Sequence, residues 1–348
     1  MNYGLAIDIG TTNIKMVKVD MESGSALDGF LKKNSQKQFG ADVLSRIKKS
    51  CAGHAGQLAE CIRQDILSGM AALNAETPEQ IAITGNTTMV ALLCGDDVSG
   101  MQEYPFTPQR LQIAPGKDIR IAPAAGAFLG GDVVAGLSVL PKGTNDFLFI
   151  DLGTNGEMVL KSGDTLMAAS AAAGPAFEYM ADASGSMLLE VLKTALEEGI
   201  VDETGLLSEE WFETGYLWKA EDGTSEFLLT QQKIRDLQLA KAAIRTGVDF
   251  LTEQYQTITG KSFLPEQVYL AGGMGVVSEE ACIRIGMLPT RFQGLCRFLG
   301  NTSLKGAEKL LLQPESFREM QKIAEKMQVF NLASWDKFNK NYIDNINF

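Results

Sequence analysis

The sequence predicts an α/β fold made of two duplicated halves, residues 1–142 and 143–348. Two observations carry that expectation. The stretches GLAIDIGTTNIKMV (4–17) and FIDLGTNGEMVL (149–160) share one design: an apolar strand meets a turn of Asp, Gly, Thr and Asn, and a second strand follows at once. Their aspartates, Asp8 and Asp151, stand 143 positions apart. Each half then repeats, in the same order, two units of strand, glycine turn and apolar helix. Self-similarity on that scale marks a repeated supersecondary plan.

In the first half, Leu5–Ile7 and Ile14–Val19 flank the turn at residues 8–13, and the turn Ser23–Ser25 leads to a third stretch. Leu58, Ile62, Ile66, Met70 and Leu73 recur at steps of three and four, which predicts one buried helix face. Ile81–Thr84 ends at Gly85-Asn86-Thr87-Thr88 before the helix Met89–Leu93, and Ile119–Ile121 leads through Gly130-Gly131 to the helix Val133–Leu140. The second half answers in order. Phe147–Ile150, the turn 151–157, Met158–Lys161 and Thr165–Ala169 match the opening strands, and Ile234, Leu237, Ala240, Ile244, Val248, Leu251 and Tyr255 form its apolar stripe. Val268–Ala271 runs into the glycine turn at 271–275 before the helix Glu279–Ile285, and Arg297–Leu299 passes through Gly300-Asn301-Thr302 to Leu304–Leu312. Gly85 and Gly272 are 187 positions apart, so the second half carries 44 more residues than the first between its turns. They centre on 197–227, rich in Glu, Asp, Gly and Trp, which reads as an exposed excursion outside the core.

Composition narrows the function. A net charge of -12 speaks against a broad nucleic-acid surface, which needs clustered Lys and Arg. No apolar run approaches the roughly 20 residues of a membrane span. The first strand begins at Gly4 and leaves no room for a signal peptide, so a cytoplasmic protein is expected. Cys51, Cys61, Cys94, Cys282 and Cys296 contain no CxxC pair, so neither a disulfide framework nor a zinc or iron–sulfur site is legible. His54 is the single histidine, which leaves acid–base work to carboxylates.

The doubled acidic turn is best explained by a nucleoside triphosphate bound in a cleft between the halves. Glycine lets backbone approach phosphate, and the N–H groups of such a turn form an anion nest. A carboxylate repels phosphate unless a cation intervenes, and Mg²⁺ is held by one or two carboxylates together with phosphate oxygens and water. Asp8 and Asp151 are the expected Mg²⁺ ligands. Gly10, Thr11, Thr12, Asn13, Gly153, Thr154 and Asn155 are expected to cradle the phosphates, and Gly272, Gly273 and Gly275 to admit the adenosine. A single such turn is ordinary hairpin chemistry; two with matched flanking strands are not.

The Asp8 and Asp151 turns, the Gly272-Gly273 turn and the duplicated order resemble the acetate and sugar kinase, heat-shock chaperone and actin (ASKHA) superfamily, whose halves are ribonuclease-H-like. The strings FGADVLSRI (39–47), GNTTMVALLCG (85–95), YPFTP (104–108), AAGPAFE (172–178), IRDLQLAKAAIRTG (234–247) and YLAGGMG (269–275) resemble the ATPase domain of the reductive activators of corrinoid enzymes over nearly the whole chain. That resemblance implies an ATPase with ATP/ADP and Mg²⁺, coupled to one-electron reduction of cobalt(II) on a corrinoid protein or methyltransferase. Such activators ordinarily carry an iron–sulfur domain; residues 1–348 hold no cysteine cluster, so the expectation is no iron–sulfur cluster in this chain and a separate ferredoxin-like donor, with a homodimer allowed. It also implies that a polar residue about 20 positions before the second phosphate turn orients the attacking water. Asp132 stands 19 before Asp151 and suits equally an N-cap of the following helix. Glu157 and Glu178 are further candidates. The family pattern has Gly where Tyr179 stands, and MADASGSML (180–188) fits it poorly, which puts that loop's nucleotide or partner contact in doubt. A small-molecule kinase of the same fold, or a non-catalytic nucleotide-gated scaffold, are the alternatives.

Overall fold

A computed structural model describes residues 2–174, 176, 185–220, 223, 225–272 and 278–348. The chain forms two compact units, one of Met1–Lys142 with Asn301–Val329, the other of Gly143–Gly300 with Phe330–Phe348. Among the described residues no helix is long and apolar enough to cross a membrane.

In the first unit β1 (Tyr3–Ile9), β2 (Asn13–Asp20) and β3 (Ala26–Lys33) form an antiparallel meander. On the other side of β1, β4 (Ile81–Gly85) and β5 (Ile119–Ile121) add in parallel, giving the order β3-β2-β1-β4-β5. Helices α1 (Val43–Lys49) and α2 (Ala55–Ala72) follow β3, α3 (Thr87–Cys94) follows β4 and α4 (Gly131–Ser138) follows β5. Leu5, Ile7, Ile9, Ile14 and Met16 are buried under the helices with Leu58, Ile62 and Met89. The predicted α2 stripe holds at Leu58, Ile62 and Leu73, with Ile66 and Met70 half-buried.

The second unit repeats the plan. β6 (Asp146–Leu152), β7 (Asn155–Ser162) and β8 (Thr165–Ala172) form the meander; after α5 (Gly185–Glu197), β9 (Tyr216–Lys219), β10 (Glu226–Leu229) and α6 (Gln231–Thr259), the strand β11 (Gln267–Gly272) pairs in parallel with β6. Beyond α7 (Glu279–Arg284), β12 (Cys296–Gly300) completes the series β12-β11-β6-β7-β8. Of the remaining helices, α8 (Thr302–Leu312) and α9 (Ser316–Lys326) belong to the first unit and α10 (Phe338–Asp344) to the second. All seven residues of the predicted α6 stripe are buried, which fixes that helix on the sheet.

Register shows the duplication at the level of single atoms. Ile9 pairs with Gly85 and Leu152 with Gly272. A Cβ on Gly85 would stand 2.4 Å from the Ile9 carbonyl oxygen, and one on Gly272 would stand 2.3 Å from that of Leu152. Both glycines also take positive φ, 150° and 127°. Strand packing therefore demands glycine at 272 just as it does at 85.

Two expectations change. The second half was expected to run from 143 to 348, but residues 301–329 belong to the first unit. The reason is α8, whose buried face of Ser303, Gly306, Ala307, Leu310 and Leu311 packs on β1, β4 and α4 rather than following β12. The excursion at 197–227 is likewise not wholly outside the core. Val201 bridges Leu207, β9 pairs with β10, and Val201, Leu207 and Phe227 join the second core. Its charge-rich composition concealed an alternating hairpin, in which Phe227 and Leu229 face inward while Lys219 and Glu226 face out.

The buried Lys241 of α6, 1% exposed, donates to the Asn347 carbonyl and lies 5.2 Å from the centroid of the Phe348 ring. Burial, helped by nearby Arg245, lowers its pKa from 10.5 to about 8. Between those values the unfolded chain binds more protons than the folded one, so this group's contribution to stability rises as pH climbs from about 8 towards 10.5. Denaturant melts of the wild type at stepped pH should show that gain across the window, and Lys241→Met should remove it.

Candidate functional site

Each unit presents a hairpin whose turn follows a strand-end aspartate. In the first, the Gly10 N–H donates to the Asn13 carbonyl at 2.9 Å, closing the turn between β1 and β2. Asp8, half-buried, stands directly opposite Lys15, so a carboxylate and an ammonium share one face of the hairpin. Ser303 Oγ donates to Asp8 Oδ1 at 2.8 Å and Asn301 Nδ2 to Oδ2 at 3.2 Å. The Ser303 hydroxyl is also 2.9 Å from that of Thr84, the residue paired with Asp8 on β4. Asn301 is the N-cap of α8, accepting from the Leu304 N–H at 3.0 Å, so the carboxylate is also oriented at the electropositive end of a helix.

The second hairpin is one residue tighter. The Gly153 N–H donates to the Asn155 carbonyl at 3.0 Å, and Asp151 stands opposite Glu157, which is 8% exposed and pairs in turn with Ser170. Where the first hairpin sets Lys15 beside its aspartate, the second sets a glutamate. The first face is suited to an anion together with a cation, the second to a hydrated cation. A Cβ on Gly156 would stand 1.9 Å from Ile244 Cδ1, so the tight second turn also lets α6 close on the sheet.

Asp132 lies in the first turn of α4, whose N-cap is Gly130. The N-cap reading of Asp132 is thereby corrected. The helix starts two residues earlier than the apolar run suggested, because Gly131, without a Cβ, seats its backbone against the Ala122 carbonyl. Asp132 Oδ1 accepts the N–H of Val133 at 2.8 Å. Its helix end abuts the β4–α3 turn, since a Cβ on Gly130 would lie 2.5 Å from the Gly85 carbonyl oxygen and 2.7 Å from the Thr87 nitrogen.

The structure thus groups Asp8, Gly10, Thr11, Thr12 and Asn13, with the α4 end bearing Asp132 next to Gly85, in one unit. It groups Asp151, Gly153, Thr154, Asn155 and Gly272 in the other. Glu178, Gly273 and Gly275 lie outside the described residues. Sequence reasoning missed Thr84, Asn301 and Ser303, and set Lys15 aside as a surface charge. Lys15 was visible as the cross-strand partner of Asp8 once hairpin register is counted out. The Asn301 cap was legible as a strand–turn–helix signal, but not its return to an aspartate 293 residues away.

Among the described residues no group of three or more His, Cys, Asp or Glu side chains forms a metal cluster. A donor set of one or two oriented carboxylates is nevertheless the kind that Mg²⁺ uses when phosphate and water complete its shell.

Comparison with known proteins covers almost the entire chain. The model of the RACo middle region matches residues 3–141, and that of the C-terminal, ASKHA domain of RACo matches residues 145–182 and 180–348. The corrinoid activation enzyme RamQ of Eubacterium limosum is 27% identical over 99% of this chain and 70% of its own length. The reductase of the Co(II) methylated amine-specific corrinoid protein of Methanosarcina barkeri is 21% identical over 99% of this chain and 77% of its own. A solved structure of a reductive activator for corrinoid, iron-sulfur protein superposes with a TM-score of 0.84 at 28% identity, covering 100% of this chain and 66% of that one.

Proposed function

The chain belongs to the RACo family, matching its middle region and its C-terminal ASKHA domain, and from that premise we propose that it is an ATP-hydrolysing activator of a corrinoid protein. The observation that carries the reading is the equivalence of the two acidic hairpins: Asp8 and Asp151 occupy the same position in two sheets of the same strand order. In this reading ATP turnover requires both.

Asp8, oriented by Ser303 and Asn301, and Asp151, beside Glu157, are the carboxylates that would hold the hydrated Mg²⁺ of the nucleotide. The metal would supply charge neutralisation of the phosphates. Turn amides and the hydroxyls of Thr11, Thr12 and Thr154 bind phosphate oxygens, Lys15 adds a cation, and Asp132 orients the attacking water. Gly272, Gly273 and Gly275 border the adenosine, and Glu178 contacts the nucleotide. Phosphoryl transfer to water asks little covalent chemistry of the protein; positioning and charge stabilisation provide the rate.

The free energy of ATP hydrolysis then drives one electron from a low-potential iron–sulfur donor to cobalt(II) of the partner, giving cobalt(I). The donor is proposed to lie outside these 348 residues. Their five cysteines contain no CxxC pair of the kind that ligates an iron–sulfur cluster.

The test is reconstitution. A cobalt(II) corrinoid protein, a one-electron donor and ATP are mixed with and without this chain, and the cobalt(I) absorption is followed. Cobalt(I) should accumulate only when chain and ATP are both present, with release of phosphate. Phosphate transfer to a small-molecule acceptor, or tight nucleotide binding without turnover, would refute the reading in favour of a kinase or a scaffold.

A further inference from the structure

The string FGADVLSRI and the residues just before it contain three polar side chains that the proposed chemistry leaves unexplained: Asn34, Gln36 and Arg46, each 0% exposed. Burying polar groups so completely is costly unless every one is engaged, so their partners indicate what they are for.

Asn34 lies behind the 10–13 turn. Its side-chain Nδ2 donates to the Gly10 carbonyl at 3.0 Å, and its backbone N–H donates to the Thr12 carbonyl at 2.7 Å. Two carbonyls of the four-residue turn are therefore drawn back towards the protein. That is what an anion-binding turn needs, since a carbonyl oxygen facing a phosphate would repel it.

Asn34 is itself held from below. Its Oδ1 accepts the Gln36 N–H at 3.0 Å, Gln36 Nε2 donates to the Leu58 carbonyl at 2.8 Å, and Arg46 donates from one terminal nitrogen to Gln36 Oε1 at 3.3 Å. The same Arg46 nitrogen is 3.1 Å from Met89 Sδ, an atom that Asn34 Nδ2 also approaches at 3.7 Å. Arg46 Nε donates to the Gly40 carbonyl at 3.0 Å. Helix α1 is locked in place by a capping box, in which Asp42 accepts the Ser45 N–H at 2.8 Å and the Ser45 hydroxyl accepts the Asp42 N–H at 3.3 Å.

We infer that Asn34 is a positioning residue for phosphate binding at the 10–13 turn, fixed in that role by Arg46 through Gln36 and Met89. The inference rests on the nucleotide reading of that turn, but its structural half is testable without nucleotide. In the nucleotide-free protein, amide hydrogen exchange at residues 10–13 should accelerate about tenfold in Asn34→Asp, which sets an oxygen against the Gly10 carbonyl while keeping the acceptor for Gln36. Arg46→Lys, which keeps the charge but loses the fixed guanidinium fork, should accelerate the same amides by a smaller factor. Ser35→Ala is the control. It removes the 2.6 Å bond from the Ser35 hydroxyl to Asp65, in the same segment, and should loosen α2 without changing exchange in the turn.

With ATP present, Asn34→Asp and Arg46→Lys should raise KM more than they lower kcat, and Ser35→Ala should leave both unchanged. Unaltered exchange at 10–13 in both variants, or equal acceleration by Ser35→Ala, would overturn the inference. If Asn34→Asp does not fold, Arg46→Lys decides alone. If the variants show this exchange pattern while the wild type neither binds nor hydrolyses ATP, the functional reading and the phosphate part of this one are refuted, and the turn-fixing role stands.

Discussion

Replacing Asp8 with asparagine will lower magnesium-dependent ATP turnover by about three orders of magnitude or more, the scale on which a charge-stabilising group counts in phosphoryl transfer. The change is nearly isosteric. Ser303 Oγ and Asn301 Nδ2 reach the two carboxylate oxygens at 2.8 and 3.2 Å, and the amide keeps one acceptor for them. Asp8 is half-buried at a strand end rather than in the core, so the folded state should survive. The measurement is phosphate release at saturating ATP across a magnesium titration, with thermal melting as the check on folding. Turnover within tenfold of wild type would remove Asp8 from the metal site. Ser303→Ala should act in the same direction but more weakly, because it disorients the carboxylate without removing it.

Gly306→Val should be the most destabilising single substitution we name. Gly306 lies where α8 crosses α4, and its missing Cβ would stand 2.5 Å from Ala135 Cβ and 2.6 Å from the Ala135 carbonyl carbon and oxygen. Backbone cannot yield as a flexible side chain can, so the helices must separate, at a cost of about 3 kcal/mol or more. For a unit of this size the midpoint of thermal unfolding should fall by about 10 °C. Moving α8 also carries Ser303 and Asn301 away from Asp8, so whatever folded protein remains should hydrolyse ATP more slowly. Gly56→Ala, in the exposed first turns of α2 where an added Cβ meets nothing within 4 Å, is the matched control and should be neutral or slightly stabilising.

Local pattern carried most of the fold. Both hairpins, the strand–glycine–helix units and the α2 and α6 stripes were legible, because each is written by hydrophobic period and turn chemistry within about 20 residues. What escaped was tertiary. The spacing that made Gly300-Asn301-Thr302 a repeat of the first half gave no sign that α8 would leave its own sheet and join the first unit. The same step hid Ser303 and Asn301 as partners of Asp8. The excursion at 197–227 misled through composition, since its acidic residues outnumber the few alternating apolar ones that anchor it. Asp132 was found at the right helix end but not as its cap, because the start of α4 is set by glycine packing against Ala122 and Gly85 rather than by a side-chain acceptor. Gly272 was expected to be a glycine for the nucleotide's sake; register with Leu152 shows that the sheet requires it first.

The central claim is that Asp8 and Asp151, on hairpins of two different units, serve one reaction. Its most direct test is the rate of magnesium-dependent ATP hydrolysis in the wild type, Asp8→Asn, Asp151→Asn and the double variant. Groups that act as a unit are strongly non-additive, so each single change should cost nearly the full rate and the double variant should be about as slow as the slower single one. Wild-type turnover in Asp151→Asn, or losses that multiply as independent sites would, contradicts the account.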